Sequence, residues 1–122
     1  MSEPRKILGI PDLVVSATSV RVPVIRGHGV SILARFERAI TPGEARDVLR
    51  DAPGVTLMDD TANDIYPSPQ DSAGEDDAYV GRIRQGADEN TLLLFSCADN
   101  LRKGAALNAI QIAEYLFTRA GR

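Results

Sequence analysis

Apolar and polar positions alternate along two stretches near the start of the chain. In Ser19–Ile25, Val20, Val22 and Val24 alternate with Ser19, Arg21 and Pro23, the period of a half-buried strand. Pro23 donates no ladder hydrogen bond, so this strand is expected at an edge or with a bulge. Gly27-His28-Gly29 interrupts the pattern with two residues tolerant of positive φ. Alternation then resumes, with Val30, Ile32, Ala34 and Phe36 set against Ser31, Leu33, Arg35 and Glu37, which places His28 at a strand junction.

The period changes at Thr41-Pro42-Gly43-Glu44. The Thr41 hydroxyl is placed to accept from an orphan N–H, Glu44 to reach back, and Pro42 to open a short helix. Ala45, Val48 and Leu49 give that helix an apolar face, and Pro53-Gly54 ends it before the apolar run Val55 to Met58. Residues 59–77 are rich in acids, Ser, Pro and Gly; this long loop is either disordered or carries function or wraps a partner, with Tyr66 as a candidate anchor. Tyr79–Ile83 and Leu92–Cys97 read as a hairpin around Gln85–Asn90. From Gly104 to Arg119, Ala106, Ala109, Ile110, Ala113, Leu116 and Phe117 share one helical face that must pack on something. The order of elements predicts a single α+β domain over residues 1–122, with a mixed or antiparallel sheet and helices packed on one face.

Composition narrows the function classes. The formal net charge of −3 comes from both signs spread along the chain, with no basic cluster to attract nucleic acid or an anionic membrane. No apolar run approaches the length of a membrane helix, and Met1–Lys6 leads into no secretory stretch, so the expected location is the cytoplasm. One cysteine, Cys97, and one histidine, His28, exclude an internal disulfide and any Cys- or His-rich metal site.

The candidate chemistry is Arg21 with His28. An arginine offers a planar fork to a carboxylate, and a histidine exchanges a proton near neutral pH; across a bend at Pro23 and Gly27 the two suit a small acidic substrate. On spacing alone the signal is weak, since an arginine and a lone histidine in a bend are more often surface or structural residues.

The wider string is more specific. Val20-Arg21-Val22-Pro23-Val24, then Gly27-His28, is followed in order by Thr41 to Val55, by Tyr66-Pro67-Ser68-Pro69 with Val80-Gly81-Arg82-Ile83-Arg84, and by Asp99-Asn100-Leu101-Arg102-Lys103-Gly104-Ala105-Ala106-Leu107-Asn108-Ala109. These blocks span nearly the whole chain and resemble the carboxy-terminal third of the aspartate-semialdehyde dehydrogenases. The resemblance implies part of a glyceraldehyde-3-phosphate-dehydrogenase-like dimerisation and substrate domain, with the last helix, about 104–119, packing toward the cofactor domain. It implies that Arg21 holds the substrate carboxylate, that His28 is the general acid/base, and that Asn100 contacts the nicotinamide end of NADP, a task suited to an amide that both donates and accepts. Asn100 also reads as a helix or turn cap. Arg102 and Lys103 read as solvated or dimer-contact residues.

The family works through a cysteine thiolate in an Asn-Cys context upstream of this segment. Cys97 ends an apolar strand and is expected to be a buried, inert thiol. Glu3 to Leu8 resembles the family's E-T-R-K-I-L, and no G-x-G-x-x-G loop occurs. The nucleophile and the nucleotide-binding region are thus expected from residues this chain does not contain, and alone it is expected to bind no cofactor and transfer no hydride. With them, the implied reaction is reductive dephosphorylation of aspartyl phosphate to aspartate semialdehyde, which serves lysine, methionine and threonine synthesis. Implied partners are a second copy, through strand edges and the last helix's apolar face, and an amino-terminal cofactor domain. Two other readings are a non-catalytic dimerisation module and an N-acetyl-glutamyl-phosphate reductase-type domain, which the Asp99–Ala106 block fits less well.

Overall fold

The computed structural model describes residues 3–120, the side chain of Ala120 excepted. Met1 and Ser2, and with them part of the amino-terminal reading, lie outside the described residues. Helix α1 (Glu3–Leu8) leads through an extended segment to strand β1 (His28–Arg35). Helix α2 (Pro42–Arg50), β2 (Val55–Leu57), β3 (Ala78–Gln85) and β4 (Thr91–Ala98) follow. A π-helical turn (Arg102–Ala106) then runs into α3 (Leu107–Ala120).

The four strands form one mixed sheet in the order β1-β4-β3-β2. β4 pairs antiparallel with both β1 and β3, and β2 runs parallel to β3. The predicted α+β class and the β3–β4 hairpin are therefore present. The Thr41 prediction also holds: the Glu44 N–H donates to Thr41 Oγ1 at 3.2 Å, and the Thr41 N–H donates to Glu44 Oε2 at 2.8 Å. These bonds, with Arg38 nearby, hold the Glu44 carboxyl below its ordinary pKa.

The core lies between α2 and the β2–β4 part of the sheet. Ala45, Val80, Ile83 and Leu92 are buried, with Ile40, Leu49, Val55, Leu57 and Leu94 packed against them. Val48, expected on the apolar face of α2, is exposed. β1 keeps its alternation only in part: Ile32 and Ala34 are half-buried, while Val30 and Phe36 are exposed.

Ser19–Ile25 is the main departure from expectation. It is not a strand but irregular chain outside the sheet, with Val20 at 75% and Ile25 at full exposure. Alternating valines record which face of a segment is apolar; a strand also needs a neighbour to complete its ladder, and no described segment pairs with this one. The face predicted on the last helix is likewise uncovered, with Phe117 79% exposed.

The loop 59–77 is folded onto the sheet. Its buried anchors are Pro67 and Ser72, not Tyr66, which is partly exposed beneath the Arg82 guanidinium. A β-bulge between Gly81 and Arg84 puts Arg82 at φ +54°. The bulge aims two backbone donors at Asp59, whose side chain is 1% exposed: the Arg82 N–H reaches Oδ1 at 2.6 Å and the Ile83 N–H reaches Oδ2 at 3.3 Å. Arg46 of α2 completes the knot, its Nε donating to Asp59 Oδ2 at 2.8 Å and its Nη2 to the Ile83 carbonyl at 2.7 Å. Helix, loop and sheet are joined at that one carboxylate.

Candidate active site

Residues 19–22 and 24–28 curl against Asn100 and enclose a cleft of about 520 Å³, within the size range of small-molecule sites. Arg21, His28 and Asn100 all line it. For His28 and Asn100 the convergence follows from strand register. His28 begins β1 opposite Ala98, the last residue of β4, so the chain leaving β4 at Asp99-Asn100 emerges beside the turn that enters β1. Asn100 fastens the two: its Oδ1 accepts the Gly27 N–H at 3.0 Å, across 73 residues of sequence. The capping role read for Asn100 thus falls on the turn before His28, while its Nδ2 group keeps two donors. No described residue engages the Arg21 guanidinium or the His28 imidazole.

The glycines flanking His28 have different reasons. Gly27 has φ +92°, and a Cβ there would lie 2.5 Å from the Pro69 carbonyl oxygen. Gly29 needs space, not positive φ: its Cβ would meet the Phe95 ring at 2.7 Å. Gly27→Ala is expected to cost about 2 kcal/mol in urea unfolding through backbone strain and overpacking, and to shift the His28 ring resonances. An unchanged melt with unmoved resonances would contradict this account of the turn.

Asp99 is the supporting residue that sequence reading missed. It is fully buried; its Oδ2 accepts the Gly74 N–H at 2.7 Å, and its Oδ1 accepts the N–H groups of Leu101 at 2.8 Å and Arg102 at 3.3 Å. Burial pushes its carboxyl up, but these donors and nearby Arg26 outweigh that and hold it below the ordinary carboxylate value. One side chain therefore ties the 59–77 loop to the chain leaving β4. Asp-Asn at the end of an apolar strand is a turn signature that could have pointed to it. Arg102 and Lys103 have internal partners: Arg102 Nε donates to Asp76 at 2.6 Å, and Lys103 Nζ to Gln111 at 2.8 Å.

Cys97 is buried at 1% exposure on β4, and burial, then the Asp71 charge, pushes its thiol up to about 11. Folding thus keeps the thiol protonated. Its contribution to stability is complete below the ordinary value near 9 and is lost as pH rises from there toward 11. At pH 8 its thiolate fraction is about 100-fold below that of an ordinary thiol, so iodoacetamide should alkylate Cys97 at least that much more slowly in the native chain than in urea. Equal rates would mean the thiol is accessible and ionised. Among the described residues no His, Cys, Asp and Glu cluster could hold a metal, and no helix is long and apolar enough to cross a membrane.

Residues 1–103 match the family described as the semialdehyde dehydrogenase dimerisation domain. The chain belongs to that family. Relatives within it include the aspartate-semialdehyde dehydrogenase of Streptomyces akiyoshiensis, 55% identical over 114 residues, covering 93% of this chain and 32% of the relative. That of Corynebacterium glutamicum is 52% identical over 118 residues, covering 94% and 33%. A crystal structure of aspartate semialdehyde dehydrogenase II from Vibrio cholerae, complexed with ASA, superposes with a TM-score of 0.88 at 36% identity, over 95% of this chain and 34% of that one. This dimerisation-domain chain spans about a third of the length of the relatives it matches.

Proposed function

We propose that the chain is the substrate-handling and dimer-forming part of an NADP-dependent aspartate-semialdehyde dehydrogenase, acting in the reductive dephosphorylation of aspartyl phosphate in amino-acid biosynthesis in the cytoplasm. The observation that carries this reading is that Arg21, His28 and Asn100 line one cleft, in a chain with relatives of that name. Arg21 takes the substrate carboxylate in its two-pronged fork, which fixes where the reacting carbon lies. His28, at the start of β1, gives a proton to the substrate oxygen as it becomes an alkoxide and takes it back in the reverse direction.

Asn100 suits the nicotinamide end of NADP in one respect: with Oδ1 committed to Gly27, its Nδ2 donors remain for a carboxamide oxygen. NADP, when bound, supplies the hydride donor and acceptor. The uncovered apolar face of α3 packs toward the cofactor domain, and exposed β1 and its neighbours meet a second copy. The test is reconstitution. Mixing the purified chain with the amino-terminal part of a relative, which carries the Asn-Cys segment, should restore NADP-dependent, phosphate-dependent oxidation of aspartate semialdehyde. Stable association of the two parts without activity would favour the non-catalytic dimerisation module.

A further inference from the structure

The cleft has a one-sided charge. Among the described residues its titratable lining groups are Arg21, Arg26 and His28, and no described carboxylate lines it, although the chain carries 17 acidic residues against 14 basic ones. A cleft lined by charge of one sign concentrates ligands of the opposite sign. Arg26 has no part in the chemistry described above, and its plainest role would be as the counterion of Asp99.

The geometry argues against that as its whole purpose. The Asp99 oxygens are already served by three backbone N–H donors at 2.7, 2.8 and 3.3 Å. Arg26 Nε stands 3.6 Å from Oδ2, beyond the length of a charge-assisted hydrogen bond, and the Arg26 side chain is 45% exposed. The pair works better in the other direction, with a fixed, buried anion drawing a half-exposed guanidinium onto the cleft wall while its remaining N–H donors stay open. We infer that Arg26 is a second anion-binding residue of the cleft, held in place by Asp99, and that the ligand is a small molecule with two anionic groups, one for Arg21 and one for Arg26. This rests on the assignment of Arg21 to a carboxylate. A cleft of about 520 Å³ has room for such a molecule.

The single histidine makes the test direct, because the His28 ring signals need no assignment. The labelled chain is titrated at pH 7 and constant ionic strength with acetate, succinate and 3-phosphonopropionate, following His28 and the Asn100 side-chain amide by NMR. Succinate or the phosphonate should bind about tenfold tighter than acetate, the ratio for one added charged contact, and the better of the two shows whether Arg26 prefers a carboxylate or a phosphoryl group. Arg26→Gln should bring both down to the acetate value and leave acetate within twofold. Because Asp99 keeps its backbone donors, the amide spectrum should not change; Arg26→Lys, which preserves the charge beside Asp99, should keep part of the preference and covers the case in which Arg26→Gln misfolds. Arg21→Gln should weaken all three ligands. An undiminished preference in Arg26→Gln, or diacids no tighter than acetate while Arg21→Gln still weakens acetate, overturns the role of Arg26 alone. Acetate binding indifferent to Arg21 overturns the Arg21 assignment, and no shift with any probe overturns both.

Discussion

In the reconstituted enzyme, His28→Ala is expected to lower semialdehyde oxidation by about 100- to 10,000-fold, the usual contribution of a positioned general acid/base. The loss should fall on kcat, with KM little changed, if, as proposed, Arg21 and not His28 holds the ground-state substrate. The variant should fold normally: His28 is exposed and its imidazole makes no hydrogen bond or ion pair with a described residue, while its backbone pairing with Ala98 survives the change. Steady-state kinetics on the mixed parts, with binding of the two parts measured separately, checks both halves of the expectation. Full activity in His28→Ala would remove His28 from the mechanism.

The largest expected effect on stability is at Asp59→Ala. Without that carboxylate, the Arg82 and Ile83 N–H groups at the bulge and the Arg46 guanidinium lose their shared acceptor. Removing one partner of a buried ion pair costs roughly 3–5 kcal/mol; Arg46 is 30% exposed and recovers some hydration, so about 3 kcal/mol is expected. That is a large fraction of the roughly 5–15 kcal/mol of a typical domain. Urea unfolding should show a lower midpoint with unchanged slope. Replacing Arg46 and Asp59 together with apolar residues should cost less than Asp59→Ala alone, since no charge is then stranded. A loss under about 1 kcal/mol would mean that water substitutes for the carboxylate.

Where sequence reading succeeded, the signal was local. Thr41 and Glu44 are one helical turn apart, and their bonds need nothing from the rest of the chain. Ser19–Ile25 failed because alternation carries no information about whether a neighbouring strand exists. Helix α1, at six residues, is too short for periodicity to reveal. At the site, Arg21, His28 and Asn100 were singled out through a family resemblance, and the structure brings them to one cleft. Asp99, Arg26 and Asp59 were not, because each has at least one partner 13 to 73 residues away. A carboxylate in a polar stretch looks like any solvated acid until the fold buries it.

The pairing of His28 with Ala98 also sets which changes of chain length the protein can survive. Eight consecutive rungs join β1 to β4, and they act as a ruler that places position 28 beside position 100. A residue inserted within either strand would shift that ruler by one notch, sending His28 to the opposite face of the sheet and away from Arg21. Between β3 and β4, Asp88 to Asn90 are pinned by the Thr91 N–H bond to the Asp88 carbonyl and by the Ile40 and Phe36 N–H bonds to the Glu89 and Asn90 carbonyls, so only Gly86-Ala87 lies where the chain can lengthen without moving the ruler. Insertions among variants of this protein should therefore gather at 86–87 and avoid 28–35 and 88–98.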